Sequence, residues 1–76
     1  MFITITLKLN NGKADIRIDS QQKILVALEV LRDSGRLLSG EMPNFYRSKL
    51  NERIVSAYKT FQDEKIYDGD ILEAVY

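Results

Sequence analysis

Only one stretch of this chain repeats its apolar residues at helical spacing, and that limits what the chain can fold into. Between Gln21 and Ser34, the residues Ile24, Ala27, Leu28 and Leu31 fall at i, i+3, i+4 and i+7. This gathers them on one side of a 3.6-residue turn, while Gln21, Gln22, Glu29, Arg32 and Asp33 lie mostly elsewhere. Leu25, Val26 and Val30 widen the oily surface beyond a narrow stripe, so this helix is expected to lie across a sheet rather than along a partner helix. Asp19 or Ser20 is positioned to cap its start, with Asp19 and Gln22 approximating a capping box, and Gly35 is positioned to close its end. A lone amphipathic helix must be covered by strands, and the rest of the chain reads as those strands.

Ile3, Ile5, Leu7 and Leu9 alternate with Thr4, Thr6 and Lys8, which separates aliphatic from polar side chains on the two faces of a strand. Asn10-Asn11-Gly12 supplies the positive φ angles of a tight hairpin turn. A second alternating run follows, with Ala14, Ile16 and Ile18 on one side and Lys13, Asp15, Arg17 and Asp19 on the other. From Arg36 to Asn44 the chain reads as a loop anchored by Leu37, Leu38 and Met42. Phe45 to Leu50 is strand-like, but Phe45 and Arg47 compete with Tyr46, Ser48 and Leu50 for the inward side, and alternation alone leaves the register open. Ile54-Val55 fits a very short strand and Thr60 to Lys65 a brief helical turn anchored by Phe61 and Ile66. Asp68-Gly69-Asp70 is a turn, and Ile71 to Tyr76 a closing strand with Leu72 and Ala74 inward. The expectation is one α+β domain over residues 1–76, a mixed sheet of four to five strands with one helix packed across one face. Its first and last strands lie parallel so that Ile3, Ile5, Leu72 and Ala74 share one core. That arrangement is a β-grasp.

Composition narrows the function. A 76-residue chain buries about 60% of its unfolded surface and holds one core worth about 3–5 kcal/mol, which leaves little room for a deep ligand cavity. The chain has neither cysteine nor histidine, so disulfides, thiolate and imidazole metal ligands and the commonest general base are all excluded. Eleven basic and 11 acidic residues are interspersed and cancel, giving no overall field toward nucleic acid or anionic membrane. The longest apolar run, Ile24 to Leu28, is far too short for a bilayer, and strand-like alternation begins almost at Met1, where a signal peptide would stand. These features lead us to expect a cytoplasmic protein without cofactor, metal or catalytic residues.

The opening strand with its Asn-Gly turn, the single helix closed by Gly35, the Thr60-Phe61-Gln62-Asp63 turn before Ile66, and the Leu72-Glu73-Ala74-Val75 ending together resemble a ubiquitin-type β-grasp over the whole chain. Within that superfamily, Ile66-Tyr67-Asp68-Gly69-Asp70-Ile71-Leu72 is most similar to the small bacterial YukD/EsaB-type proteins that accompany type VII secretion. The resemblance implies an interaction module, an accessory or regulatory part of such a system, with a protein partner that is a secretion component. The alternative within the superfamily, a carrier activated at its C-terminal carboxylate, calls for a flexible Gly-Gly tail. The sequence ends instead on Val75-Tyr76, in a strand.

Three further clusters carry chemistry-bearing side chains. Asp63, Glu64, Asp68 and Asp70 suggest a cation, but a calcium loop needs more oxygen ligands at regular alternation than Asp68-Gly69-Asp70 offers, and a structural turn is the better reading. Phe45, Tyr46, Arg47, Lys49, Arg53, Tyr58 and Lys59 mix aromatics with cations, as a small binder of unpaired bases would. No basic stripe accompanies them, so no nucleic-acid partner is expected. Ser39 and Ser56 lack a base to activate them. The best candidate is the sheet face away from the helix. There Phe2, Ile71 and Val75 would form a common exposed patch ringed by Lys8, Arg47 and Lys49, the face on which ubiquitin-like proteins usually bind partners.

Overall fold

The computed structural model describes residues 1–10, 12–34 and 43–76. Among the described residues, five strands and one helix follow in the order β1 (Phe2–Leu9), β2 (Gly12–Asp19), α1 (Ile24–Asp33), β3 (Phe45–Ser48), β4 (Arg53–Ser56) and β5 (Ile71–Val75). The strands form one sheet in the order β2-β1-β5-β3-β4. The two terminal strands are parallel, with Thr6 beside Ile71 and Leu7 beside Leu72; every other pairing is antiparallel. This is the expected α+β β-grasp.

The core follows the two periods. Ile3, Ile5 and Leu7 from β1, Ile16 and Ile18 from β2, and Leu72 from β5 are buried against Ile24, Ala27, Leu28 and Leu31, the four helix residues picked out by spacing. Leu25 packs partly against this core, but Val30 is 51% exposed, so the helix contacts the sheet along a narrower stripe than its apolar residues suggested. Phe61 and Ile66 close the core from the turn between β4 and β5.

The helix does not begin as expected. Its N-cap is Lys23, with no side-chain cap, and Asp19 lies upstream accepting the Gln21 N–H at 3.0 Å. The first helical donors go instead to carbonyls from elsewhere in the chain, Ile24 N–H to Lys59 and Leu25 N–H to Ala57 at 3.0 and 2.9 Å. Gln22 and Ser20 return the favour by accepting the Phe61 and Gln62 amides. A tertiary clasp thus satisfies the donors that a capping box would have served. Ser34 ends the helix, its amide on the Val30 carbonyl and its hydroxyl on that of Leu31. Asn11, the Gly35 closure and the anchors Leu37, Leu38 and Met42 lie outside the described residues.

In β3 the structure settles the inward side. Tyr46 and Ser48 are fully buried, while Phe45 and Arg47 face solvent. The Ser48 hydroxyl donates to buried Asp70 at 2.5 Å, and Asp70 also accepts the Leu50 and Ile71 amides at 3.1 and 2.7 Å. The preceding turn serves β1 similarly: Asp68 accepts the Thr4 amide at 2.7 Å, and Gly69, at φ +90°, donates to the Thr4 carbonyl at 2.8 Å.

Candidate functional site

The outer face of the sheet is set by residues that alternate with the core. Thr4, Thr6 and Lys8 come from β1, Ile71, Glu73 and Val75 from β5, Phe45 and Arg47 from β3, and Ile54 from β4. Register decides which of them meet. Phe45 stands directly opposite Val75, and Arg47 lies between Glu73 on one side and Ile54 on the other. Directly opposed residues place their side chains about 5 Å apart. Phe45 and Val75 therefore meet directly, while Ile54, opposite Arg47, lies on the diagonal from Phe45 at about 7–8 Å; the three are 52%, 39% and 48% exposed. Beside them, Glu73 sits between Arg47 and Lys8 and pairs with Lys8 at 3.7 Å. Lys49 adjoins Ile71 through a 3.0 Å bond from its amide to the Ile71 carbonyl. A shallow depression of about 380 Å³ follows, lined by Thr6, Lys8, Lys13, Asp15, Lys49 and Ile71.

Five of the six residues singled out from the sequence, Lys8, Arg47, Lys49, Ile71 and Val75, thus share this face. Phe2 does not join them. It lies opposite Asp19 at the far end of β1, four residues before the Thr6 that neighbours Ile71, or about 13 Å of strand. Its ring carries the Arg17 guanidinium at 5.5 Å instead. The common patch of Phe2, Ile71 and Val75 is not formed, because Val75 extends away from Phe2 along the parallel strand and Glu73 separates it from Ile71. Phe45 and Ile54 take their place. The sequence did not assign either to this patch, Phe45 standing only among the aromatic and basic residues, because β3 and β4 are four residues each, too short for alternation to fix a face.

The other clusters dissolve into structural roles. Asp68 and Asp70 hold backbone amides. Glu64 accepts the Ser56 amide at 2.7 Å and pairs with Arg53 at 3.7 Å, while Arg53 also donates to the Glu64 carbonyl. Among the described residues no group of three acidic side chains converges on a common point. Of the aromatic and basic set, Tyr46 is buried, Arg53 is engaged with Glu64 and the Tyr58 hydroxyl donates to Asn44 at 3.3 Å, which breaks up any stacking platform. No helix among the described residues is long and apolar enough to cross a membrane.

A mixed five-stranded sheet with parallel terminal strands and one helix across its inner face defines the ubiquitin-like fold. No family model matches the sequence, and no curated protein does either. Among solved structures, the C-terminal ubiquitin-like domain of mouse tubulin-specific chaperone e superposes with a TM-score of 0.62 at 10% identity, over 100% of this chain and 89% of that one. The ubiquitin-like domain of Plasmodium falciparum Dsk2 gives 0.59 at 14% identity over 99% and 100%. The EccD5 ubiquitin-like domain from Mycobacterium xenopi gives 0.59 at 17% identity over 99% and 93%.

Proposed function

We propose that this chain is an interaction module that works by rigid docking and carries out no chemistry, acting as an accessory or regulatory component of a bacterial type VII secretion system. The observation that carries the docking reading is the direct opposition of Phe45 and Val75, with Ile54 on the next strand, at one end of the solvent-facing side of the sheet. Exposed hydrophobes scattered singly are ordinary; Phe45 and Val75 set face to face by register, with Ile54 on the diagonal and Arg47 beside them, suit a partner with an apolar ridge. The secretion setting is supported by the likeness of residues 66–72 to the YukD/EsaB-type proteins, and a mycobacterial ubiquitin-like domain among the structural neighbours is compatible with it.

The test is calorimetric titration of the purified chain against the cytoplasmic region of a type VII membrane component from the same organism. Val75→Asp and Phe45→Asp should each weaken binding about tenfold or more, since a charge placed in a desolvated contact costs more than 1.4 kcal/mol. Phe2→Ser, at the far end of β1, should leave it unchanged. Equal affinities for all four proteins would remove the outer face as the docking surface.

A further inference from the structure

The sheet has two edges of unequal kind. β4 is four residues long and tethered through Arg53 to Glu64, a short edge that offers little to pair with. β2 is eight residues long, and its pairing with β1 runs without a bulge from Phe2 opposite Asp19 to Leu9 opposite Gly12. It contains no proline, and its core-facing residues Ala14, Ile16 and Ile18 are all apolar. Of the usual obstacles to strand addition, a bulge, a proline and an inward charge are missing from it; the charges it does carry, on Lys13, Asp15, Arg17 and Asp19, alternate in sign.

The backbone direction of β2 follows from β1. Thr4 and Thr6 direct their amides and the Thr4 carbonyl toward the turn before β5, so Ile3, Ile5, Leu7 and Leu9 bond across to Ile18, Ile16, Ala14 and Gly12. The N–H and C=O groups of Lys13, Asp15, Arg17 and Asp19 therefore point out of the sheet, along an edge that no strand among the described residues pairs. These same four residues alternate in sign on the outer face.

We infer that the β2 edge pairs antiparallel with β2 of a second copy of this chain, about a two-fold axis at Ile16. In that register Asp15 faces the Arg17 of the other copy, Arg17 its Asp15, Lys13 its Asp19 and Asp19 its Lys13. Each outer-face pair is then of opposite charge, and each pair is also one whose backbone groups are aimed at the joint. Asp15 and Arg17 exchange both backbone bonds across it; at the ends the Asp19 carbonyl is already taken by Gln22, leaving its N–H to bond. Sliding the second strand by two residues in either direction keeps the backbone parity but sets Lys13 against Arg17 and Asp15 against Asp15, or Arg17 against Arg17 and Asp15 against Asp19. Like charges directly opposed disfavour both slips, so the pattern selects one alignment.

The side chains are already held for it. Arg17 lies over the Phe2 ring at 5.5 Å, and Asp15 accepts the Thr6 hydroxyl at 2.6 Å, so both stand on the outer face where the other copy arrives. At the β2 edge a groove of about 580 Å³ opens beside α1, lined by Ile16, Val26 and Val30 from the inner side and by Phe2, Arg17 and Asp19 from the outer. A two-fold axis perpendicular to the sheet keeps both helices on one side, so the two grooves meet across the joint and half-exposed Val30 gains apolar company. The result is a ten-stranded sheet. A strand joint buries less than the ~1,200 Å² of a stable complex, so the dimer is weak and concentration-dependent.

Sedimentation equilibrium over about 10⁻⁵ to 10⁻³ M protein tests this, at about 0.1 M salt, where charges are felt over ~10 Å, and about 1 M, where they are felt over ~3 Å. The expected result is a monomer–dimer equilibrium that weakens at high salt. Arg17→Asp opposes like charges twice and should raise the dissociation constant about tenfold or more. The exchanged pair Asp15→Arg with Arg17→Asp should restore association. Circular dichroism confirms that each variant is folded. Independently, the amide of Arg17 in the unaltered chain should gain protection from hydrogen exchange as concentration rises, while that of Ile16, bonded to β1 within the monomer, should not. A chain that stays monomeric throughout, a dimer indifferent to Arg17→Asp, or a folded exchanged pair that does not associate would each overturn the inference.

Discussion

Replacing Tyr46 with phenylalanine should make the protein more stable, and increasingly so toward alkaline pH. Tyr46 is fully buried, and among the described residues nothing bonds to its hydroxyl. Burying a hydroxyl without a partner costs about 1–3 kcal/mol, against which the phenylalanine variant loses only the contacts of one oxygen atom. A net gain of about 1 kcal/mol at neutral pH is expected, or about 4–8 °C in Tm for a domain of this size. Burial, with a smaller contribution from the Tyr76 phenol, pushes the Tyr46 pKa up from 10.0 to about 12. The unfolded chain therefore releases this proton from about pH 10, while the folded chain retains it until about pH 12. Stability tied to Tyr46 is complete below pH 10 and is lost as pH rises through that window, by about 2–3 kcal/mol in all and about 1.4 kcal/mol by pH 11. Phenylalanine has no such proton, and the other tyrosines and the lysines are common to both chains, so the difference between the two isolates position 46. Urea unfolding of both proteins at pH 7, 9, 10 and 11 measures it. A variant less stable at neutral pH would mean that the hydroxyl makes a favourable bond in solution, and a gap that stays constant to pH 11 would mean that the phenol ionises freely; either refutes the reasoning.

Asp70→Ala strips three donors, the Ser48 hydroxyl and the Leu50 and Ile71 amides, of one shared acceptor. It should cost about 3 kcal/mol, seen as a lower urea midpoint with an unchanged slope. Gly69→Ala tests backbone strain alone: nothing lies within 4 Å of the added methyl, but φ is +90°, so a loss of about 1–2 kcal/mol is expected by thermal unfolding.

The helix face was legible because it depends on a period internal to one segment, and Ile24, Ala27, Leu28 and Leu31 are buried as their spacing requires. The helix start was not, since its donors are met by Ala57 and Lys59, more than thirty residues downstream, and no local pattern around Asp19 reports that. The same distinction explains the outer face. Alternation on β1 and β5 shows that Phe2, Ile71 and Val75 point outward, but not how far the two strands slide past each other. The observed register, Thr6 beside Ile71, puts Phe2 at one end and Val75 at the other. In β3, burying Tyr46 rather than Phe45 defies hydrophobicity. What fixes it is the bond from Ser48 to Asp70, whose partners are 22 residues apart in the chain.

That bond also bears on why the outer face is apolar. With Ser48 tied inward to Asp70, residues 45 and 47 must point outward, because a shift of one residue would bury Arg47 and expose Tyr46. The lock therefore dictates that position 45 is exposed but says nothing about which side chain stands there, and a threonine or lysine would satisfy the strand equally well. Phenylalanine opposite Val75, with Ile54 on the adjoining strand, is a choice the fold does not require. The outer side of β2 is charged throughout, with Lys13, Asp15, Arg17 and Asp19 on a strand of the same sheet equally open to water. One sheet face thus carries apolar residues around the Glu73 and Arg47 pair over β5, β3 and β4, and a row of alternating charge over β2. The first lowers its free energy by excluding water from a hydrophobic partner, the second by setting charges opposite one another along an edge. A copy joined at β2 leaves the Phe45–Val75 pair uncovered, so the two contacts do not compete for the same surface.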